Sequence, residues 1–433
     1  MRFPTPPNPI GLAGWEKQQM QEIEIDQQIK NYRQKIEQLY AIDERIRNLD
    51  VARFGGSRTE FHNPSDDEPM QTALYLSFFD ITPFVEAMKP FYKRLRSVRY
   101  LGSMGLTFVF MKITEKSPDE VANYLKTHPA CAELLGYQRN AEGDLIIPDG
   151  ETIRYNQKKR FGPEGIKNID QVILMAMNRR SKELGIDLGE TCGSDAFPVK
   201  SVKSDKQAEY NGHYETQGYK VATTESHGEE TGIVPLIGQV IGINEDEGKT
   251  MISQLRELKT CEIHIKQNWV DNKYATIDNI QKAEIIEGTI LQYNPAKNWI
   301  YDYNATPEQI KQDYQKFHNE PDFQPGVPLD FMMRYLVKKG HGETVGYMLR
   351  NDHIAAKEEC PDGYLDHFHK RNITESENDY IKNDKGLQRA IRRKGQEYIE
   401  LHLQLTLLAL HVVALVRLQN NVKSNLVSTR GFT

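Results

Sequence analysis

The sequence predicts an α/β fold, a mixed β-sheet flanked by helices, behind a mainly helical N-terminal region. Three observations predict it. Strand-like runs follow one another at YKVATTE (219–225) and GIVPLIGQVIG (232–242). A helical pattern, DEGKTMISQLRELK (246–259), then separates them from strand-like CEIHIKQNWV (261–270) and EIIEGTILQY (284–293). Consecutive strands followed by a strand–helix–strand alternation indicate a mixed sheet with helices on its faces. Upstream of residue 151, by contrast, the apolar spacing is mainly helical.

At 433 residues and 49.9 kDa, the chain is long enough for two or three domains. The pattern divides it into a long N-terminal helix (1–53), a linker (54–69) and a helical, DNA-binding candidate region (70–150). A first part of an α/β core (151–293), an insertion (294–340), a second part of the core (341–420) and a tail (421–433) follow. Hydrophobic content of 38% and charged content of 27% are those of a soluble globular protein. Four widely spaced cysteines without a CxxC pair argue against a disulfide framework and fit a reducing, cytoplasmic compartment. The N-terminus lacks the apolar stretch of a signal peptide. A net charge of −6 counts against a protein that coats DNA by bulk charge, although local basic clusters can still bind phosphate.

In chain order, residues 15–50 read as one helix without internal Pro or Gly. Ile25, Ile29, Tyr32, Ile36 and Leu39 form a coiled-coil-like seam, continued after a slip by Ile42, Ile46 and Leu49. Self-association and packing on the same chain are equally good readings of it. The helical region 70–137 has turns expected at DITP (80–83) and LGSMG (101–105), and Ser117 is the expected N-cap of a helix starting at Pro118. KPFYKRLRSVRY (89–100) interleaves Lys and Arg with aromatics, as a helix with a solvated basic face or a DNA-backbone contact would. Residues 165–185 are helical. The run from Leu401 to Leu418 includes His402, Gln404, Thr406, His411 and Arg417, too many polar groups for a membrane span, and reads as a buried helix.

The chemistry-bearing stretch is FHKRNITESENDYIK, from Phe368 to Lys382. Glu375 and Lys382 are seven residues apart, two helical turns, and Arg371 lies one turn before Glu375. A carboxylate flanked by two cations suits a metal held beside a phosphate backbone, though a solvated charged face has the same composition. Lys385, Arg389 and Arg392 continue the basic run. Upstream, Asp195 lies in GETCGSDAFPVKS ahead of Pro198, a setting that predicts the end or edge of a strand. Asp271 follows a strand-like run in NWVDNKYATIDN, with Tyr274 three residues on. Taken alone, Asp195 reads as a turn cap and Asp271 as a helix N-cap. Asp246 likewise reads as the cap of the helix after it. His341, His353, Cys360, His367 and His369 lack the paired spacing of a zinc site. There is no Walker A loop, GxSxG elbow or GxGxxG fingerprint.

The spacing Phe368–Arg371–Glu375–Lys382, the apolar helix after it, and the order Asp195, Asp271, Glu375 together resemble insertion-sequence transposases of the DDE class. Phe368 stands where that signature usually has Tyr, and the turn after Asp271 lacks the frequent Gly. The resemblance covers roughly residues 120–420. It implies an RNase H-like catalytic domain in which Asp195, Asp271 and Glu375 hold Mg²⁺, with Mn²⁺ as the substitute. It also implies phosphate contacts by Arg371, Lys382, Lys385, Arg389 and Arg392. The implied activity is metal-dependent cleavage of element ends and their joining to target DNA. The implied partners are double-stranded DNA (terminal inverted repeats and target) and a second copy forming a homodimer on DNA, with no membrane. A bacterial or archaeal cytoplasm, at the nucleoid, is the implied location. The alternative is a domesticated or inactive relative that binds DNA or a protein partner; a nuclease without strand transfer would need the same three carboxylates.

Overall fold

The computed structural model describes residues 67–92, 98–318, 326–361, 381 and 395–428. The helix expected at 15–50 and the central part of the basic stripe lie outside them. The chain divides into two compact units, Met1–Ile153 with Arg430–Thr433, and Arg154–Thr429.

In the first unit, helices α1 (Asp67–Leu76), α2 (Thr82–Met88), α3 (Val98–Ile113), α4 (Pro118–Thr127) and α5 (Pro129–Leu134) precede α6 (Gly150–Tyr155), which ends across the boundary. Ser117 caps α4 with a full capping box, as expected: its side chain accepts from the Glu120 amide while Glu120 accepts from the Ser117 amide. The turn expected at LGSMG is instead the interior of α3. A Cβ on Gly102 would lie 2.8 Å from Ile81 Cδ1, and one on Gly105 would lie 2.7 Å from the Phe84 ring. These glycines therefore admit the α2 segment against α3 rather than reversing the chain. The buried Leu101, Met104, Leu106, Phe108 and Phe110 supply the apolar contact that keeps the helix intact through them.

The second unit begins with α7 (Gly162–Glu183) and continues through β1 (Thr191–Lys200), β2 (Glu209–Asn211), β3 (Thr216–Gly228) and β4 (Gly232–Gly242). After them come α8 (Glu247–Thr260), β5 (Gln267–Trp269), α9 (Ile277–Ile280, widening into a π-helical stretch at Gln281–Glu287) and β6 (Ile290–Gln292). Helices α10 (Pro307–His318), α11 (Leu329–Lys338) and α12 (Glu343–Glu359) form a small helical layer with its own core of Ile310, Met332, Leu336 and Val345. The last helix is α13 (Gln396–Gln419).

The sheet has β1 at its centre. β3 pairs antiparallel with β1 on one side and with β4 on the other, with β2 adding to the β3 edge; β5 pairs parallel with β1, and β6 parallel with β5. Three antiparallel strands continued by two parallel ones, with helices on the faces, is an RNase H-like α/β fold. Two strands are shorter than expected. The alternation of Ile263 and Ile265 reflects burial ahead of the ladder, which starts only at Gln267. Residues 284–287 stay helical because Thr276 caps α9, and the chain turns at Gly288, with φ +72°, before β6.

α13 is apolar enough to cross a membrane, but 89% of its most apolar window is buried within the protein. Leu403 and Leu407 pack with Phe197, Val199, Val221 and Val240 on one face of the sheet. The polar residues within it close the open edge of β4. Gln396 Nε2 donates to the Val240 carbonyl at 2.7 Å, and Gln404 Nε2 to the Gly238 carbonyl at 2.9 Å. Glu400 accepts from the Val240 amide at 2.6 Å, and His411 Nε2 lies 2.7 Å from the Pro235 carbonyl. An uncovered strand edge is a template for association, and these side chains occupy it.

Candidate active site

Asp195 lies in the middle of the central strand, not at a strand end as its small, Pro-followed context predicts. Pro198 is accommodated because β1 meets β5 only at Thr191–Gly193, leaving the later part of β1 with a single neighbour. Phe197 and Val199 face α13, whereas Ala196 packs with Ala222 and Ile241 on the opposite side. Strand alternation therefore puts Asp195 on the α13 face.

Opposite Asp195 is Thr223, whose hydroxyl donates to Glu225 Oε1 at 3.0 Å. Glu225 is fully buried, and that burial, opposed by Thr223 and reinforced by the charge of Asp195, pushes its carboxyl well above the usual range. Its other oxygen lies 3.7 Å from His227 Nε2, and burial pulls His227 down to about 4.

Asp271 follows β5. The parallel register pairs Gly193 with Trp269, so Asp195 and Asp271 each lie two residues beyond the last paired position of adjacent strands. Asp271 keeps an extended backbone, and Oδ1 accepts from the Asn272 amide at 2.7 Å, opening the 3₁₀ turn Asn272–Tyr274. The cap reading and the strand-end reading thus hold together. Buried Tyr274 anchors the turn, while the Lys273 side chain is 44% exposed.

Around this turn is a polar cluster that spacing alone does not reveal. Glu247, in the first turn of α8, has buried Lys220 on Oε1 and Lys273 on Oε2, each at 2.7 Å. Burial would raise its carboxyl, but the two lysines hold it below the usual range. Burial pushes up the hydroxyl of Tyr214, in the loop between β2 and β3, and the charge of Lys273 acts on it. Asp195 is close enough that its charge acts on Lys273, Tyr214 and Tyr274. Asp246 is the α8 N-cap, as expected, accepting from the Gly248 amide at 2.9 Å.

Glu375, Arg371, Lys382, Lys385, Arg389 and Arg392 lie outside the described residues. Ile381, six residues beyond Glu375, is fully buried in the cluster with Phe197 and Val199. The start of α13 is fixed by Asp205, which accepts from Gly395 N at 2.9 Å, Ser201 Oγ at 2.7 Å and Tyr219 Oη at 3.2 Å. Among the described residues, no three His, Cys, Asp or Glu side chains form a metal-holding group. Of the proposed carboxylates, Asp195 and Asp271 are described; their oxygen donors are of the type a hydrated Mg²⁺ accepts. His353, set aside as a zinc ligand, lies 3.2 Å from Glu284, and His341 stacks on Phe317.

No protein-family model matches the chain, and no curated protein matches it. The mixed sheet flanked by helices resembles the fold of the RNase H and integrase superfamily.

Proposed function

We propose that this protein is a DNA transposase that cleaves element ends and joins them to target DNA. One observation supports the reading above others: the two candidate Asp residues lie at equivalent positions beyond the paired ends of β1 and β5, the adjacent parallel strands at the centre of an RNase H-like sheet. Ile381, six residues beyond Glu375 in sequence, adds support, because it is buried against the sheet face carrying Asp195.

Asp195, Asp271 and Glu375 would hold Mg²⁺, or Mn²⁺ in its place, each offering hard oxygen donors. Bound there, the ion would activate the attacking hydroxyl and stabilise the leaving oxygen of an in-line displacement. Asp195 would offer its carboxylate from the central strand, with Asp271 and Glu375 completing the set. Arg371 would grip a phosphate as a planar fork and Lys382 as a point charge, with Lys385, Arg389 and Arg392 extending the contact. Terminal inverted repeats would bind the helical region before residue 151, and a homodimer would pair the two ends.

An excision assay tests this reading. DNA flanking the coding sequence brackets a selectable marker, and wild type is compared with Glu375→Gln. Excision by wild type alone supports the assignment. Equal excision by the variant, or none by either with both proteins folded and the flanks carrying inverted repeats, overturns it.

A further inference from the structure

We propose that Lys273 is a phosphate-contact residue of this site, held ready by Glu247. The proposal rests on the transposase reading for its substrate and adds a residue which that reading does not include.

Three observations carry it. First, Glu247 does not require Lys273 for neutralisation, because buried Lys220 is already paired to its other oxygen at 2.7 Å. The Lys220–Glu247–Lys273 triad thus carries one net positive charge. Second, Lys273 lies two residues after Asp271 on the same turn, and the charge of Asp195 acts on it. Third, the ammonium lies 2.7 Å from Glu247 Oε2 as an ion pair, while the side chain stays 44% exposed, so its remaining protons face outward. They can meet an incoming oxygen.

Such an arrangement is suited to an anion. A lysine already held by an ion pair has lost part of the rotamer freedom that a free lysine would give up on binding. A phosphodiester entering between Asp195 and Asp271 brings negative charge to a place where two carboxylates repel it. Lys273 offsets that repulsion from the same turn that presents Asp271. The bland alternative is a structural ion pair that merely ties the turn to α8.

The test measures binding of the full-length protein to a labelled duplex carrying the element-flanking sequence, as a function of salt and without a catalytic metal. Lys273→Met should weaken binding roughly five- to tenfold at about 0.1 M salt and reduce the salt slope by about 0.9, the release expected from one phosphate contact. Lys273→Arg should restore both, and thermal midpoints are measured alongside. An unchanged slope in a folded Lys273→Met protein overturns the proposal while leaving the transposase reading in place. A reduced slope in a protein that cleaves no DNA sustains the contact and removes the transposase reading. Wild type that binds no DNA overturns both.

Discussion

His411 of α13 and Asp170 of α7 meet at 2.7 Å between Nδ1 and Oδ1, both buried. The other ring nitrogen of His411 is bonded to the Pro235 carbonyl at the edge of β4, so one imidazole joins two helices and the sheet. Burial pushes the Asp170 carboxyl up against the pull of His411. Burial alone would lower His411, but Asp170 and the Pro235 carbonyl outweigh it and raise it.

Both shifts have the same sign in linkage: the folded pair keeps a proton that the unfolded chain releases. For His411 the stabilisation is complete below the unfolded His value, about 6.5, and is lost as pH rises through its raised folded value. For Asp170 it is complete only below the unfolded Asp value, about 3.9, and is lost as pH rises through its own raised value. Urea unfolding at about pH 6 and about pH 8.5 should show wild type losing stability at the higher pH. Asp170→Asn removes the charge partner and should flatten that difference; an unaltered difference would exclude the pair as its source.

Gln404→Leu keeps helix propensity and apolarity but removes the donor to the Gly238 carbonyl. It should destabilise the protein by about 1–3 kcal/mol, the range for an orphaned buried polar group. Light scattering should also rise, because the edge of β4 is uncovered. A variant as stable and monodisperse as wild type would show that the edge is closed by other means.

Gly105→Ala should destabilise the protein, although the same change in an exposed helix stabilises it by about 1 kcal/mol. The new Cβ meets the Phe84 ring at 2.7 Å, and overpacking of this kind costs about 1–3 kcal/mol. Phe84→Leu in the same background should recover part of the loss. Chemical denaturation of the single and double variants measures both effects.

Asp205→Ala should loosen the start of α13, with a loss of about 1.5–3 kcal/mol for hydrogen bonds to a charged group. Burial would raise the Asp205 carboxyl, but bonds from Ser201, Gly395, Gln207 and Tyr219 hold it below the ordinary value. Its stabilisation is thus present above the unfolded Asp value, about 3.9, and is lost as pH falls through the lower folded value. Hydrogen exchange at the first amides of α13, compared between wild type and variant, reports it directly.

Under the proposed transposase function, Lys382→Ala should slow DNA cleavage less than Asp271→Asn, because a phosphate contact would be supplemented by neighbouring cations whereas a metal ligand would not. Single-turnover rates on an end-bearing duplex make the comparison. Equal and total loss in two well-folded variants would contradict the division of roles.

How far the sequence could be read varies from element to element. GIVPLIGQVIG has the β-branched content of a buried strand and is β4 over those same residues. The PDEVANYLKT helix announces its start through Ser117 and Glu120, a local device with a local signature. TCGSDAFPVK has neither alternation nor high strand propensity, yet it is the central strand, because ladders with β3 and β5 hold it extended. LGSMG has turn composition but is helical, because what its glycines answer to is the Ile81 and Phe84 side chains. Of the candidate site, Asp195 and Asp271 were visible as residues, but the parallel register that relates them was not. Glu247, Tyr214 and Lys273 come from three separate segments and meet only through folding.

The sequence by itself determined the α/β class, the helical region before residue 151 and the burial of Leu401–Leu418, since propensity, capping and hydrophobic content act over a few neighbouring residues. The tertiary structure alone decided which strand is central, why the last helix carries Gln396, Glu400, Gln404 and His411, and which charges surround Asp195. Those outcomes depend on contacts between residues far apart in the chain, and no local pattern encodes a partner that only folding brings near.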